Sequence, residues 1–295
     1  MSKCTGHRGS GRGSGLFITD LDGTLLNDQR RIAQEDLAAL NRMQREGILV
    51  ALATGRSNYS LKTLMDTLGF TGPTAGLPVD YIIFSTGAGV MDYPDGRILQ
   101  SVSLTPPDTL YICEVLQQLD LDFMVHRAVP DTVNFLYTQA IPENMDFHRR
   151  LEIYKAFAKP FSPTALTGFG GATEVLCIAP ETNGHEIAVQ LSQRFKQFSV
   201  IKATSPLDGK SLWIEIFATA VSKSDAAGWL ADTSGIARDQ VCAVGNDYND
   251  EDLLLWAGTS FVVANSPEIL RARFQTVASN NTAGVAEAAA RWLAW

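Results

Sequence analysis

Two carboxylates follow the first apolar segment of the sequence at a spacing suited to chemistry. Residues 16–19 run directly into Asp20 and Asp22, which stand in a glycine turn. This pattern predicts a buried strand that ends in two carboxylates. Thr54 and the cluster 246–250 follow two later apolar segments in the same way. Because ligands bind beyond the carboxyl ends of the strands in an open parallel sheet, we expect these groups to converge on one pocket.

The oxygen atoms of such a pocket suit a particular metal ion. Mg²⁺ prefers one or two carboxylates, several waters and a substrate phosphate as ligands. The two acids, the hydroxyl group and the second acidic cluster expected at this edge of the sheet therefore suit a magnesium site.

The elements around these residues predict an α/β fold. Over residues 16–87, apolar segments without polar alternation are separated by amphipathic stretches, and the pattern returns over 217–295. Such segments belong to a doubly wound parallel sheet with helices on both faces, which would form a core domain. Residues 88–216 instead contain hairpin turns at Asp95-Gly96 and Asp208-Gly209. These turns predict an α+β cap domain inserted into the core.

Composition limits the class of protein. The 295 residues include 45% hydrophobic side chains, which suffice for a large core, and the net charge of -8 provides no field that would gather nucleic acid. No apolar segment approaches the roughly 18 to 20 residues of a membrane helix. Residues 1–15 are rich in Gly and Ser, which predicts a disordered leader. We expect a cytoplasmic protein without a membrane or nucleic-acid partner, and the oligomeric state stays open.

Four short motifs resemble motifs one to four of the haloacid dehalogenase superfamily, in the same order. They are Asp20-Leu21-Asp22-Gly23-Thr24, Ala53-Thr54-Gly55-Arg56, Lys223 ahead of a late helix, and Gly245 with Asn249-Asp250. The resemblance covers residues 16–86 and 217–295. An insertion between motifs two and three is similar to the type IIB α/β cap of the Cof-like branch, which is close to sucrose-phosphate and mannosyl-3-phosphoglycerate phosphatases. The resemblance implies Mg²⁺-dependent hydrolysis of a small phosphate monoester, with a sugar phosphate as the expected substrate.

The resemblance also implies a role for each motif residue. Asp20 is the nucleophile that becomes an aspartyl phosphate, which splits one difficult displacement into two easier ones. Asp22 is the general acid and base of the two half-reactions, and its backbone carbonyl joins the Asp20 carboxylate as a metal ligand. The implied phosphate-binding residues are Thr54, Gly55, Arg56, Lys223 and Asn249. Asp250 is the implied partner that orients Lys223 or a metal-bound water.

Motif four departs from the family pattern at its metal ligand. The family usually places Asp directly after the glycine, whereas this sequence has Asn246 there and Asp247 next. Either the amide oxygen of Asn246 replaces a carboxylate in the metal shell, or the loop shifts and Asp247 binds the metal. We favour Asn246, since Asn249 and Asp250 then keep the spacing of the family.

The cap is expected to select the substrate, because the core contacts only the phosphoryl group. The candidate contacts are polar residues in or near loops of the insertion, namely His126, Asn134, Tyr137, His148, Arg149, Arg150, Glu174 and Lys210. Residues 144–150 could form a cationic rim for a second anionic or hydroxylated group, or simply a solvated helix start. A second departure, Thr86 in Ser85-Thr86-Gly87-Ala88 where the Cof-like branch commonly has Asn, concerns the crossing into the cap.

Two other functions stay open at this point. A phosphomutase or phosphotransferase would use the same aspartyl phosphate but pass the phosphoryl group to a second hydroxyl. A phosphate-binding regulatory protein would have lost turnover, and Asn246 is the residue that favours it.

Overall fold

Helices and strands alternate along the residues that this computed structural model describes, which are 15–70, 76–93 and 95–295. The strands are β1 (Leu16–Asp20), β2 (Leu49–Ala53), β3 (Tyr81–Phe84), β4 (Gly89–Asp92), β5 (Ile98–Ser101), β6 (Phe123–Arg127), β7 (Phe135–Thr138), β8 (Ala158–Pro160), β9 (Ala172–Ala179), β10 (Ser199–Thr204), β11 (Leu212–Phe217), β12 (Val241–Gly245), β13 (Thr259–Val263) and β14 (Gln275–Val277). The α-helices are α1 (Gln34–Arg45), α2 (Asn58–Leu68), α3 (Pro106–Gln118), α4 (Met145–Ile153), α5 (Pro163–Phe169), α6 (Gly184–Arg194), α7 (Lys223–Ser234), α8 (Glu251–Trp256), α9 (Glu268–Arg271) and α10 (Gly284–Leu293).

The first sheet is doubly wound, as the sequence predicts. Its eight strands have the order β14-β13-β12-β1-β2-β3-β4-β5, and β1 pairs in parallel with both β2 and β12. Phe17 packs with residues of α1 and α10 on one face, while Leu16 and Ile18 pack with α7 on the other. Helices thus cover both faces, which explains why the strand sequences carry no polar alternation. The strand order reverses beside β1, and this is the position at which doubly wound sheets bind ligands.

The first sheet extends past residue 87, where the sequence placed the start of the cap. Strand β4 pairs antiparallel with β3, and β5 pairs antiparallel with β4, so both strands belong to the first sheet. The turn at Asp95-Gly96 joins them. A hairpin that lengthens an existing sheet has the same local pattern as one that begins a new sheet, and only its pairing with β3 distinguishes the two cases. The division of the chain into a core and a cap domain stays a prediction.

The described part of the chain begins at Gly15, which the sequence analysis assigned to the leader. Gly15 is buried, and its carbonyl accepts a hydrogen bond from Leu49 N at 3.0 Å. It therefore belongs to the start of the first sheet and not to a disordered leader, because its backbone is paired. Residues 1–14 lie outside the described residues.

The second sheet presents one face to the first. Its six strands have the order β10-β11-β9-β6-β7-β8. Side chains alternate between the two faces of each strand, and Cys177 and Ile214 pack with α3 and α6 on the outer face. On the inner face Leu176 and Trp213 pack beside Phe147 of α4. The rest of this inner face lines a cavity toward the carboxyl end of β1.

A buried carboxylate of α1 caps α10. Asp36 Oδ1 accepts a hydrogen bond from Ala286 N at 2.8 Å, whereas its Oδ2 has no hydrogen-bond partner among the described residues. Burial raises the pKa of Asp36 to about 6, although the backbone hydrogen bonds from Ala286 and Val285 oppose the shift. The negative charge favours the amino end of α10 but is poorly solvated.

We predict that Asp36→Asn removes a pH dependence of stability. The folded pKa of about 6 exceeds the ordinary value of 3.8, so the folded state retains a proton that the unfolded state loses. The free energy of unfolding of the natural protein should therefore fall, relative to that of the variant, by about 2–3 kcal/mol as the pH rises from about 4 to above 6. Urea unfolding at several pH values measures the difference.

Asp28→Asn is the matched control. The side chains of Asn281 and Asn280 lower the pKa of Asp28. The free energy of unfolding of the natural protein, relative to that of Asp28→Asn, should therefore rise with pH instead of falling. A difference between the natural protein and Asp36→Asn that does not change with pH would contradict the assignment.

Candidate active site

Polar side chains from three neighbouring strands meet at one end of the first sheet. Asp20 is the last residue of β1, Thr54 follows β2, and Asn246 follows β12. These three residues line a single cavity together with Asp22. The predicted convergence at the carboxyl end of the sheet is therefore what the structure shows.

Lys223 lies between two carboxylates at the base of this site. Its Nζ donates to Asp20 Oδ1 at 2.7 Å and to Asp250 Oδ1 at 2.6 Å, and Lys223 and Asp250 have no exposed surface. Lys223 is the first residue of α7, which Ser222 caps by accepting a hydrogen bond from Asp225 N at 3.0 Å. The start of the helix therefore sets where the ammonium enters the site.

The charges at this position do not balance. Burial by itself lowers the pKa of Lys223, but the charges of Asp20 and Asp250 outweigh it and hold the pKa above its ordinary value. Burial and the charge of Asp250 raise the pKa of Asp20 to about 7 despite the ion pair with Lys223. One ammonium facing two carboxylates leaves excess negative charge, which a cation would compensate.

Asp250 also holds the loop that follows β12. Its Oδ2 accepts hydrogen bonds from Asn246 N at 2.8 Å and Asp247 N at 3.1 Å. A Cβ on Gly245 would lie 2.6 Å from the Asp250 side chain, so the close approach requires glycine. The carboxylate thus contacts Lys223, one of the two partners that the resemblance implied, and it also holds the motif-four loop.

The Asn246 amide lies among the oxygens expected to bind a metal. Asn246 Oδ1 accepts a hydrogen bond from Thr24 Oγ1 at 3.1 Å, and the same position is 3.1 Å from the Asp22 carbonyl oxygen and 3.2 Å from Asp20 Oδ2. With the amide rotated, Nδ2 would occupy this position and donate to all three atoms.

The two amide orientations fit two states of the site. Neighbouring oxygens in an octahedral Mg²⁺ shell with bonds of about 2.1 Å lie about 3 Å apart. The distances from the Asn246 position to Asp20 Oδ2 and to the Asp22 carbonyl oxygen are therefore compatible with a shared cation, whereas the rotated amide satisfies the hydrogen bonds of the protein alone. Within the described ranges, no group of three His, Cys, Asp or Glu side chains is placed to hold a metal. The candidate site instead combines one carboxylate, one backbone carbonyl and one amide.

Asp247 is directed to different partners. Its Oδ1 accepts a hydrogen bond from Tyr248 N at 2.8 Å, and its Oδ2 accepts one from Thr204 N of β10 at 3.2 Å. Neither carboxylate oxygen belongs to the group formed around Asn246. The geometry therefore supports Asn246 as the candidate ligand, and it gives Asp247 a contact between the two sheets.

Arg56 pairs with the second carboxylate of motif one. Its guanidinium donates to Asp22 Oδ2 at 2.7 Å and to Asp22 Oδ1 at 2.6 Å, and also to Ser60 Oγ at 3.0 Å. Such a two-point ion pair fixes the carboxylate as well as attracting it. Thr54 Oγ1 accepts a hydrogen bond from Arg56 N at 3.1 Å. The exposed backbone of Gly55 lies beside Asn249, whose Nδ2 would be 3.7 Å from a Cβ at position 55.

The cavity above these groups has a volume of about 610 Å³. Of the eight polar residues that the sequence proposed for the cap side, four line it: His126, Arg149, Arg150 and Glu174. The other four, Asn134, Tyr137, His148 and Lys210, do not line it. Within the predicted cationic rim 144–150, Asn144 and Asp146 are buried. That stretch is thus neither a uniform rim nor a fully solvated helix start.

Sequence reasoning missed Glu215, although it singled out Thr86, the hydrogen-bond partner of Glu215. Glu215 lines the cavity from β11, and its Oε2 accepts a hydrogen bond from Thr86 Oγ1 at 2.8 Å. Thr86 has φ 54°, which is uncommon for a β-branched residue, and this hydrogen bond helps to hold it. The available signal was a single charged residue in the otherwise apolar strand Leu212–Phe217.

Comparisons with known proteins identify the family of this chain. The sequence profile of the haloacid dehalogenase-like hydrolases matches residues 17–288. The 5-amino-6-(5-phospho-D-ribitylamino)uracil phosphatase YwtE of Bacillus subtilis is 27% identical over 292 residues, which cover 90% of this chain and 94% of that protein. BT1666 of Bacteroides thetaiotaomicron superposes with a TM-score of 0.75 at 18% identity and full coverage of both chains. The subclass IIB sugar phosphatase BT4131 superposes with a TM-score of 0.71 at 16% identity, covering 94% of this chain and 98% of its own.

The chain belongs to the haloacid dehalogenase-like hydrolase family. The expected class of enzyme, a phosphomonoester hydrolase of this family with a Rossmann-like core, is confirmed. No helix in the part of the chain that the structure describes has the length and apolar character needed to cross a membrane.

We predict that Lys223→Met destabilises the protein far more than Asp20→Asn. The first change leaves two buried carboxylates without their cation and should cost about 3 kcal/mol or more of unfolding free energy. The second change removes one of two carboxylates that compete for a single ammonium, so its cost should be smaller. Urea unfolding of both variants at neutral pH compares them, and equal losses would contradict the charge balance described above.

Proposed function

We propose that this enzyme hydrolyses a small phosphate monoester through an aspartyl phosphate on Asp20, with Mg²⁺ as cofactor. The observation that carries the proposal is the position of the Asp20 carboxylate. Its Oδ1 accepts a hydrogen bond from Lys223, and its Oδ2 lies 3.2 Å from the side-chain amide of Asn246. A carboxylate fixed at both oxygens beside a cavity is oriented for in-line attack on phosphorus.

The reaction consists of two displacements at phosphorus. In the first, a carboxylate oxygen of Asp20 forms a bond to phosphorus while the bond to the ester oxygen breaks, and Asp22 gives its proton to the departing alkoxide. In the second, Asp22 takes a proton from a water molecule that attacks the same phosphorus. The bond to Asp20 then breaks, which releases inorganic phosphate and restores the carboxylate.

Arg56 links substrate binding to the position of the Asp22 side chain. In the free protein, Arg56 holds the Asp22 carboxylate through two hydrogen bonds. A bound phosphoryl group offers Arg56 another anion, and transfer of the guanidinium to it would free the Asp22 carboxyl group to face the leaving oxygen. This accounts for a role of Arg56 in phosphate binding.

The remaining groups would neutralise the phosphoryl oxygens. Lys223 has three N–H donors, of which Asp20 and Asp250 use two. Thr54, Gly55 and Asn249 line the same side of the cavity and would donate hydrogen bonds to the phosphoryl group. Positioned donors that meet developing charge are the main source of catalysis in phosphoryl transfer.

The residues of the site fit Mg²⁺. Asp20 Oδ2, the Asp22 carbonyl oxygen and Asn246 Oδ1 would hold the ion, and the excess negative charge beside Lys223 favours a cation there. When bound, Mg²⁺ supplies positive charge that neutralises a phosphoryl oxygen and keeps it near Asp20. The cavity of about 610 Å³ suits a small phosphorylated molecule. A sugar phosphate remains our proposed substrate, and the names of the relatives YwtE and BT4131 also describe small phosphorylated compounds.

We predict that Asp20→Asn lowers phosphate release by about 10⁴-fold or more, because the amide cannot form the acyl phosphate. The exposed Asp66→Asn is the matched control and should keep full activity. Acid quenching during turnover, followed by mass spectrometry, should find a phosphorylated peptide that contains Asp20. A variant that retains a tenth of the natural rate would exclude this mechanism. Release of one inorganic phosphate per ester consumed separates a hydrolase from a phosphotransferase.

We predict that Asn246→Asp strengthens Mg²⁺ binding and that Asp247→Asn changes it little. A carboxylate attracts the hard Mg²⁺ ion more strongly than an amide does. The Mg²⁺ concentration that half-saturates the protein should therefore fall by up to about tenfold in Asn246→Asp. The rise of melting temperature with Mg²⁺ measures binding without substrate, and the Mg²⁺ dependence of phosphate release provides a second measurement. If Asp247→Asn abolished the effect of Mg²⁺ on melting temperature and phosphate release while Asn246→Asp left it unchanged, Asp247 would be the metal ligand.

A further inference from the structure

The inner face of the second sheet brings charged side chains to the cavity wall opposite Asp20. Glu174 of β9 and Glu215 of β11 both line the cavity, as does His126 of β6, whose register partner is Glu174. Their neighbours Val175 and Ile216 point into the helix-covered core. The alternation of each strand therefore places these polar groups toward the cavity.

Arg150 of α4 is held rigidly against this face. Its guanidinium carbon lies 4.4 Å from the centroid of the Trp213 ring and 5.3 Å from that of Tyr154. Its Nη2 donates to His126 Nε2 at 3.3 Å. His126 Nδ1 is 2.9 Å from the Thr132 carbonyl, which can only accept, so the proton is on Nδ1 and Nε2 is free to accept.

The neutral state of His126 supports this arrangement. Burial and the charge of Arg150 lower the pKa of His126 to about 3. The histidine thus stays an acceptor for Arg150 at neutral pH. The Nε of Arg150 is buried and has no hydrogen-bond partner among the described residues, which leaves one edge of the guanidinium unused.

Acidic groups outnumber this one cation. The charges of Glu174, Glu215 and Asp146 all act on Arg150. Asp146 is engaged with Ser205 and Trp213, and Glu215 with Thr86. Glu174 has no hydrogen bond or ion pair with any described residue, so its carboxyl group is the one left for a ligand.

The electrostatic state of Glu174 indicates what that ligand carries. Burial and the charge of Glu215 raise the pKa of Glu174 well above its ordinary value, and Arg150 offsets this only in part. A ligand with a positive charge or hydrogen-bond donors would stabilise the ionised carboxylate. A second anion on the ligand would disfavour the ionised carboxylate further and would gain no charge partner from Glu174.

We propose that Glu174 is a specificity-determining residue that favours leaving groups with a cationic or hydrogen-bond-donating substituent and disfavours those with a second anionic group. This proposal rests on the phosphatase mechanism above. Of the two groups that the sequence analysis left open for the cap, anionic or hydroxylated, it selects the hydroxylated one. Arg150 by itself would attract a second anionic group, but the three carboxyl groups around Arg150 disfavour binding of an anion.

The test compares three esters that share a six-carbon frame and differ in charge. Glucosamine 6-phosphate carries an ammonium group, glucose 6-phosphate is uncharged away from its phosphate, and 6-phosphogluconate carries a carboxylate. The readout is the ratio of kcat/KM for the ammonium ester to kcat/KM for the carboxylate ester at neutral pH. Because both values come from one preparation, loss of folded protein cancels in the ratio.

The natural enzyme should prefer the esters in the order ammonium, uncharged, carboxylate. Glu174→Gln keeps the shape of the side chain but cannot ionise beside the ammonium group of the substrate, so it should lower the ratio by about tenfold. Glu152→Gln is the matched control. Glu152 lies on α4 outside this cavity, where its exposed carboxylate pairs with Lys155 at 3.0 Å, and its variant should leave the ratio unchanged.

Two results would overturn the inference, and they are distinguishable from failure of the proposed function. A preference of the natural enzyme for 6-phosphogluconate would refute the charge selection, as would an unchanged ratio in Glu174→Gln. In both cases phosphate release itself shows that the enzyme is a phosphatase. If no ester, including p-nitrophenyl phosphate, released phosphate with Mg²⁺ present, the proposed function would fail and the inference with it.

Discussion

The buried ammonium of Lys223 is the interaction on which the rest of the site depends. It holds Asp20 and Asp250 at hydrogen-bond distance where solvent does not reach, and removing charges from water is costly unless they are paired. The pairing joins β1, the start of α7 and the loop after β12. Since one cation faces two carboxylates, the site keeps a negative excess that favours a metal ion beside Asp20.

The cavity divides recognition between two surfaces. In the proposed function, Lys223 and Thr54 at the end of the first sheet would bind the phosphoryl group, which is the same in every phosphate monoester. The inner face of the second sheet, with Arg150 among carboxyl groups, would contact the part of the substrate that varies. Hydrogen bonds from Thr86 to Glu215 and from Thr204 to Asp247 join the two surfaces. A common chemistry and a separate choice of leaving group can thus coexist in one enzyme.

Asn246 shows how a motif can change without losing its geometry. An amide offers the metal an oxygen but no charge, and it can also rotate to donate hydrogen bonds to the oxygens around it. In the second orientation it would donate to Asp20 Oδ2 and to the Asp22 carbonyl oxygen. Under the proposed Mg²⁺ dependence, Asn246 would attract the ion less than a carboxylate does but would donate hydrogen bonds that a carboxylate cannot.

The sequence by itself determined the doubly wound core and the positions of Asp20, Thr54 and Lys223, because each stands at the end of an element whose apolar pattern and caps are local. Spacing alone also favoured Asn246 over Asp247. Only the tertiary structure decided that β4 and β5 extend the first sheet, that Arg56 pairs with Asp22, and which polar residues of the insertion reach the cavity. These features depend on strand pairing and on contacts between residues distant in the chain. The local pattern around Glu174 or Glu215 shows a charged residue in a strand, but pairing and register determine which surface that residue faces.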